Sequence, residues 1–315
     1  MTLDFDWTHP DWRKVGLVWR VDRLNSWAQN SALTPTPLLL DDGRLRIYAG
    51  MRDECGISRI GYVDLDGQNP ARVIGHSGKP VLDTGRMGCF DDNGVILGDV
   101  IACSRNEIRM YYVGFQRAAG VKFLAFSGLA ISTDGGETFQ RVSESPVLDR
   151  HDEGLFIRAI HSAIFENGRW RVWYAAGDGW EHIDGTPYPR YHIRYTESVD
   201  GIRFGHEPGA IVMLPGAGEY RIGRPRVYRI DSGYLMYYTR AFSSGPYLAG
   251  IAFSKDGLVW ERHDELLGLE RDLAGPDSHT LAYPCPVQAP GGLYMFYNGN
   301  RMGQDGLLMA RWGGR

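Results

Sequence analysis

Asp92 and Glu219 are two carboxylates set among a surplus of cations and donors: Arg52, Arg158, Arg221, Arg224, Arg240 and Arg301, with His161, His279 and Tyr283. A protonated carboxyl facing an ionised one about 6.5 to 9.5 Å away can cleave a glycosidic bond with inversion. One group gives its proton to the leaving oxygen while the other activates water, a pair of roles open to Asp92 and Glu219 if they face each other across one cavity. The guanidinium fork of arginine matches phosphate and carboxylate, so these arginines favour an anionic ligand such as a sugar phosphate, a nucleotide sugar or a uronic acid. With inorganic phosphate as nucleophile, one acid together with Arg158, His161, Arg221 and Arg224 would suffice. The same cations would equally hold a charged sugar during hydrolysis, and residue types alone leave both reactions open.

Other patterns carry less. His151-Asp152-Glu153 and Glu181-His182-x-Asp184 hold metal-ligand types but lie in expected loops without a second convergent cluster, so no metal site is expected. Gly216-Ala217-Gly218 followed by Gly223 fails the spacing of a dinucleotide-binding loop, and no organic cofactor is implied. Trp180, Tyr188, Tyr191 and Tyr247 have faces that can stack on a sugar or a base, although burial in the core of their own loop is the favoured expectation. Cys55, Cys89, Cys103 and Cys285 include no C-x-x-C pair and read as reduced thiols.

These residues are scattered over 315 positions, so the elements must gather them. The chain has 41 Gly, 17 Tyr and 9 Trp, the mixture expected of many short aromatic strands joined by tight turns. One segment recurs five times: Arg44-Leu45-Arg46-Ile47-Tyr48, Ile108-Arg109-Met110-Tyr111-Tyr112, Trp170-Arg171-Val172-Trp173-Tyr174, Tyr234-Leu235-Met236-Tyr237-Tyr238 and Leu293-Tyr294-Met295-Phe296-Tyr297. Each follows a turn signal, such as Asp42-Gly43 or Asn167-Gly168, that itself follows a β-rich run, so the unit is a hairpin. The final tyrosines are separated by 64, 62, 64 and 59 residues, and five such periods use nearly the whole chain. A second marker, Ser132-Thr133-Asp134-Gly135, Ser198-Val199-Asp200-Gly201 and Ser254-Lys255-Asp256-Gly257, reads as the turn between a third and a fourth strand. The expected fold is therefore all-β: a single five-bladed β-propeller over residues 1–315, with four-stranded antiparallel blades around a central channel. The last blade lacks a fourth strand, and Gly16-Leu17-Val18-Trp19-Arg20 echoes the fourth-strand segment Gly257-Leu258-Val259-Trp260, so the N-terminus is expected to close the ring.

In that geometry one mouth of the channel collects the residues entering the innermost strands and the loops after the second strands. The first set supplies Asn30, Ser31, Asp91, Asp92, Arg158, His161, Glu219, Arg221, Arg224, His279 and Tyr283. The second supplies Arg52, Gln116, Arg117, the expected loop Gly177 to Tyr191, Arg240 and Arg301. The formal charge of −4 argues against nucleic acid as a partner. No run approaches the roughly 18 to 20 apolar residues of a membrane span, and the start lacks the features of a signal peptide. A cytoplasmic protein with a small-molecule carbohydrate partner is expected.

The architecture and the Ser-x-Asp-Gly turns resemble the five-bladed glycoside hydrolase superfamily, including families 32, 43 and 130. Asp91-Asp92-Asn93-Gly94-Val95 is similar to the Glu-Asp-Pro-Arg segment of family 130, and the resemblance puts the proton donor on Asp92. The family 43 base would fall near Pro35 and Thr36, where there is no acid. The blade-three aspartate is replaced by His161, and the blade-four acid by Gly223, with Glu219 farther upstream. Family 43 also implies a hydrated calcium in the channel, which His279 would approach. The resemblance thus implies a glycosidase-like enzyme with an incomplete carboxylate set. A phosphorylase, or a propeller turned to other chemistry or to binding of a sugar nucleotide, is the alternative.

Overall fold

The computed structural model describes residues 2–314, and its strands follow the repeat. After β1 (Trp12–Trp19) come β2 (Asn30–Leu39), β3 (Arg44–Arg52), β4 (Ser58–Asp66) and β5 (Val73–His76); then β6 (Val95–Ser104), β7 (Glu107–Gln116), β8 (Leu124–Ser132) and β9 (Gln140–Arg141). The third group is β10 (Ile157–Glu166), β11 (Arg169–Ile183), β12 (Thr186–Ser198) and β13 (Ala210–Met213). The fourth is β14 (Glu219–Ile230), β15 (Gly233–Phe242), β16 (Tyr247–Ser254) and β17 (Glu261–Arg262), followed by β18 (Thr280–Ala289), β19 (Gly292–Asn298) and β20 (Leu307–Trp312). Each group is an antiparallel meander, and β1 pairs antiparallel with β20, Trp12 opposite Trp312 and Leu17 opposite Leu308, as the sequence echo suggests. No helix among the described residues is long and apolar enough to cross a membrane.

The innermost strands pack in a closed cycle, β2 on β6, β6 on β10, β10 on β14, β14 on β18 and β18 on β2, which makes the fold a propeller. Apolar side chains fill the wedges between neighbouring sheets rather than the axis. Tyr48 and Tyr62 of one sheet pack with Leu97, Tyr112 and Phe126 of the next, and Trp173 and Ile193 pack with Met236 and Tyr238. Burial of each such side chain contributes about 1.5 to 3 kcal/mol, so the wedges fix the sheets relative to one another.

The Ser-x-Asp-Gly turns add polar latches to those wedges. Ser132, Ser198 and Ser254 hydroxyls each meet the Asp two residues on and accept the N–H of Gly136, Gly201 and Gly257. The carbonyls of those glycines then accept bonds from the preceding sheet: Tyr48 at 3.0 Å, Tyr111 at 2.7 Å and the Trp173 indole at 2.9 Å. Tyr237 occupies the register of Tyr111 and Trp173 but has no such turn to meet, because β1 supplies the next sheet's outer strand.

One expectation needs correction. The segment Gly177 to Tyr191 is not a loop; β11 and β12 run on as a paired hairpin, with Trp180 opposite Pro189 and a turn at Asp184 and Gly185. β13 pairs with β12 only at Ile193–Tyr195, so Thr186-Pro187-Tyr188-Pro189 has a partner on one side alone, where proline need not donate to the ladder.

All five inner strands break register at the same depth: around Pro35, Gly98, His161, Arg224 and Tyr283. Thr34, Arg224 and Tyr283 have positive φ, and each precedes a proline, Pro35, Pro225 and Pro284. Left-handed backbone at a non-glycine residue costs roughly 1 to 3 kcal/mol, and such strain collects where side chains must be aimed. The bulges turn these side chains to the axis.

Candidate active site

The axis is plugged by charge. Arg226 of β14 reaches across to a very short ion pair with Asp99 of β6, whose other oxygen accepts the Ala163 N–H of β10 at 2.8 Å. Tyr228 continues the plug by donating to the Pro286 carbonyl of β18 at 2.8 Å. Both charges are buried and mutually satisfied. Beside them lies a cavity of about 10 Å³, room for roughly one water, lined by Pro35, His161, Arg224, Tyr283 and Cys285 among others.

Arg224 spans this cavity. Its Nη1 donates to the Leu97 carbonyl in a very short bond and to His161 Nδ1 at 3.0 Å, its Nη2 lies 3.5 Å from the Thr34 carbonyl, and the guanidinium lies 5.8 Å from the Tyr283 ring. A guanidinium only donates, so His161 Nδ1 accepts and its proton sits on Nε2. Burial first, and then the charge of Arg224, hold the imidazole well below its ordinary pKa, so it is neutral at pH 7. Burial also lowers the Arg224 guanidinium, to about 10, which leaves it charged at neutral pH.

Arg221 stands two strand positions earlier in register from Gly223 and faces three tyrosines, with its guanidinium 4.9 Å from the Tyr220 ring, 5.2 Å from Tyr191 and 5.4 Å from Tyr247. Tyr247 meets Tyr283 edge to face at 5.7 Å, so Arg221, Tyr247, Tyr283, Arg224 and His161 form one continuous wall. Among the described residues, neither Arg221 nor Arg224 has a carboxylate within ion-pair distance, and the Nε of Arg221 is buried with no partner. Other enclosed arginines differ: Arg46 pairs with Asp64, Arg141 with Asp91 and Arg171 with Glu166.

The remaining expected site residues are engaged elsewhere. Arg158 is buried in an ion pair with Glu153 at 2.8 Å and donates to the Asp149 carbonyl at 2.7 Å, which ties the third sheet's entrance together. Glu219 has a side chain only 2% exposed; Arg262 donates to both its oxygens at 2.6 and 2.9 Å, Arg240 at 3.3 Å and the Gly216 N–H at 2.7 Å. Those donors hold its carboxyl below the usual range against the opposing effect of burial. The carboxylate expected as a base is thus committed to arginine, with no face left for a water. Arg240 is shared between Glu219 and Asp264. Arg301 is exposed and pairs with Asp305, and His279 is exposed, its backbone N–H held by Asn300. Arg52 ends β3, half-buried and opposite Asn30.

Asp92 lies in a different setting. Its Oδ2 accepts the Gly88 N–H at 2.8 Å, and its side chain lines an open cleft of about 420 Å³ with Met87, Asn93, Gln116 and Arg117. The adjacent Asp91 is the structural partner, buried and bound by Arg141 at 2.7 Å and by the Tyr112 hydroxyl at 3.1 Å. Of the aromatic candidates, Trp180 packs on Phe123 and Phe156, while Tyr191 and Tyr247 belong to the arginine wall. Tyr220, absent from the expected site residues, joins that wall, and its place beside Arg221 at the start of an inner strand is the signal the sequence holds for it.

No family model matches the chain. The uncharacterized protein Rv1502 of Mycobacterium tuberculosis is 29% identical over 299 residues, 95% of this chain and 98% of that protein. A 1,2-beta-oligomannan phosphorylase of a Thermoanaerobacter species is 32% identical over 137 residues, 41% of this chain and 45% of that enzyme. Among solved structures, one from the GH130 family of mannoside phosphorylases, described as containing hydrolases of β-1,2 mannosidic linkages, superposes with a TM-score of 0.69 at 15% identity. It covers 98% of this chain and 95% of its own. A thermostable family-43 glycoside hydrolase gives 0.66 at 17% identity over 91% and 90% of the two chains. The chain therefore has the propeller fold of the glycoside hydrolases, and the resemblance read from the Ser-x-Asp-Gly turns holds at the level of fold.

Proposed function

We propose that the chain is a single five-bladed propeller domain that cleaves a glycosidic bond by phosphorolysis, with Arg221 as the anion's contact in the wall it forms with Arg224, His161 and Tyr283. The observation that carries this reading is the pair of guanidiniums without carboxylate partners. A desolvated cation that spends no charge on the protein is stabilised most by an anion brought to it. The commitment of Glu219 to arginine supports the same reaction, because phosphate is its own nucleophile and needs no activating base.

The step balances with one acid. As general acid, Asp92 gives a proton to the leaving-group oxygen as the C1–O bond breaks, while a phosphate oxygen forms the new bond to C1. The products are a sugar 1-phosphate and the free leaving group, and Asp92 is left ionised. His161, neutral with its proton on Nε2, is a hydrogen-bond donor that adds no charge.

The test is incubation with β-1,2-mannobiose, the linkage suggested by the phosphorylase relative, and with uronate-containing disaccharides, each with and without inorganic phosphate. Phosphate-dependent release of a sugar 1-phosphate is expected. Equal turnover in phosphate-free buffer would assign the cations to a charged sugar and the reaction to hydrolysis. Asp92→Asn should abolish turnover by at least about 10²-fold while the melting temperature stays close to the wild type.

A further inference from the structure

The cleft beside Asp92 has a chemistry distinct from the arginine wall. It is built by the segment entering β6 and the segment leaving β7, and its side chains are Met87, Asn93, Gln116 and Arg117. Met87 is 93% exposed, an unusual state for a large apolar side chain. It is not on a loose tether. The turn carrying it is stapled by Gly85 N–H to the Asp91 carbonyl at 3.0 Å, Cys89 N–H to the Arg86 carbonyl at 3.0 Å and Gly88 N–H to Asp92 at 2.8 Å. Arg86 adds a two-pronged pair to Glu144 at 2.7 and 2.8 Å. The same bonds that fix Asp92 thus hold a thioether out at the rim. Arg117 is exposed and, among the described residues, has no ion pair and is the only cation lining this cleft.

Resting on the reading of Asp92 as the acid, we infer that this cleft is the leaving-group subsite, and that Met87 and Arg117 select a leaving group with both a carbon face and a negative charge. A general acid must touch the leaving oxygen, so the space it lines is the space the departing group occupies. Arg117 stands in this lining beside two neutral amides, Asn93 and Gln116. Met87 supplies an adaptable apolar surface. A carboxylate and a phosphate ester share the required chemistry, and the test separates them.

Protein labelled with ¹³C at the methionine methyls reports on the cleft, with the Met87 signal identified by its loss in Met87→Leu. The probes are glucuronate, glucose 6-phosphate and neutral glucose. Either anion should shift the Met87 methyl saturably, whereas glucose at the same concentration should not. Arg117→Gln should weaken that response at least tenfold, while Arg221→Gln leaves it in place because its effect belongs to the other wall. A shift with glucuronate alone assigns a carboxylate, and one with glucose 6-phosphate alone assigns a phosphate ester. Silence of Met87 toward both anions, an equal response to glucose, or an unchanged response in Arg117→Gln overturns the inference. These outcomes are independent of the acid assignment, which fails separately if Asp92→Asn retains turnover.

Discussion

Arg221 carries five N–H donors, and no protein acceptor among the described residues takes one; three tyrosine rings surround the cation instead. Its replacement by an apolar side chain of similar length therefore breaks no hydrogen bond. Arg221→Met should leave the ligand-free melting temperature unchanged or higher, yet lose the rise produced by phosphate, which at a hundredfold excess over Kd amounts to about 2.7 kcal/mol. A drop in ligand-free stability of several degrees, measured by calorimetry, would make the residue structural. His161 offers a second check. Its folded pKa lies well below the ordinary value of 6.5, so the unfolded chain binds the extra proton first. Stability is complete above about 6.5 and falls as pH drops below it, and His161→Gln should flatten that slope in urea titrations between pH 7 and pH 5.

At the scale of the strand and turn, the Ser-x-Asp-Gly unit does more than reverse the chain, because its glycine carbonyl accepts the latch from the preceding sheet. Asp200 organises one such turn by accepting the N–H groups of Ile202 and Arg203, both at 2.8 Å, and these bonds lower its pKa to about 2. Asp134 is lowered to about 2 as well, against burial, by Ser132 and Thr138. Both carboxyls are depressed relative to the unfolded chain, so their contribution is present above about pH 4 and is lost as pH falls toward 2. Asp200→Asn should cost roughly 1 kcal/mol, the net worth of a hydrogen bond or two, and should remove part of the acid transition. An acid midpoint that does not move in this variant would show that other groups control it.

For the molecule as a whole, the decisive contact is the outer strand donated by the N-terminus. Lys14 of β1 pairs at 2.6 Å with the buried Asp277, which also accepts from the Tyr297 hydroxyl at 3.2 Å. Lys14→Ala leaves that carboxylate unpaired and, with the lysine itself partly exposed, should cost toward the lower end of the roughly 3 to 5 kcal/mol typical of a broken buried pair. Deletion of residues 1–20 goes further, since it bares the β20 edge and the Trp12 and Trp312 contact. That truncation should aggregate or unfold without a cooperative transition, because an unpaired strand edge invites other chains. A soluble, cooperatively melting truncation would show that the remaining strands hold the ring alone.

The repeat was legible because it is local. Tyr48, Tyr112, Tyr174, Tyr238 and Tyr297, the tight turns before them and the Ser-x-Asp-Gly marker declare strand, turn and period within a few residues of one another. The gathering of His161, Arg221, Arg224 and Tyr283 followed from that period, since equal depth in successive inner strands means proximity at the axis. Which charges remain unspent did not follow. Glu219 is taken by Arg262, 43 residues away, and Asp99 by Arg226, 127 residues away, while Arg158 is taken by Glu153 close by. Ion pairing depends on distances of a few ångströms between side chains from different sheets, and only the packed tertiary structure sets those distances.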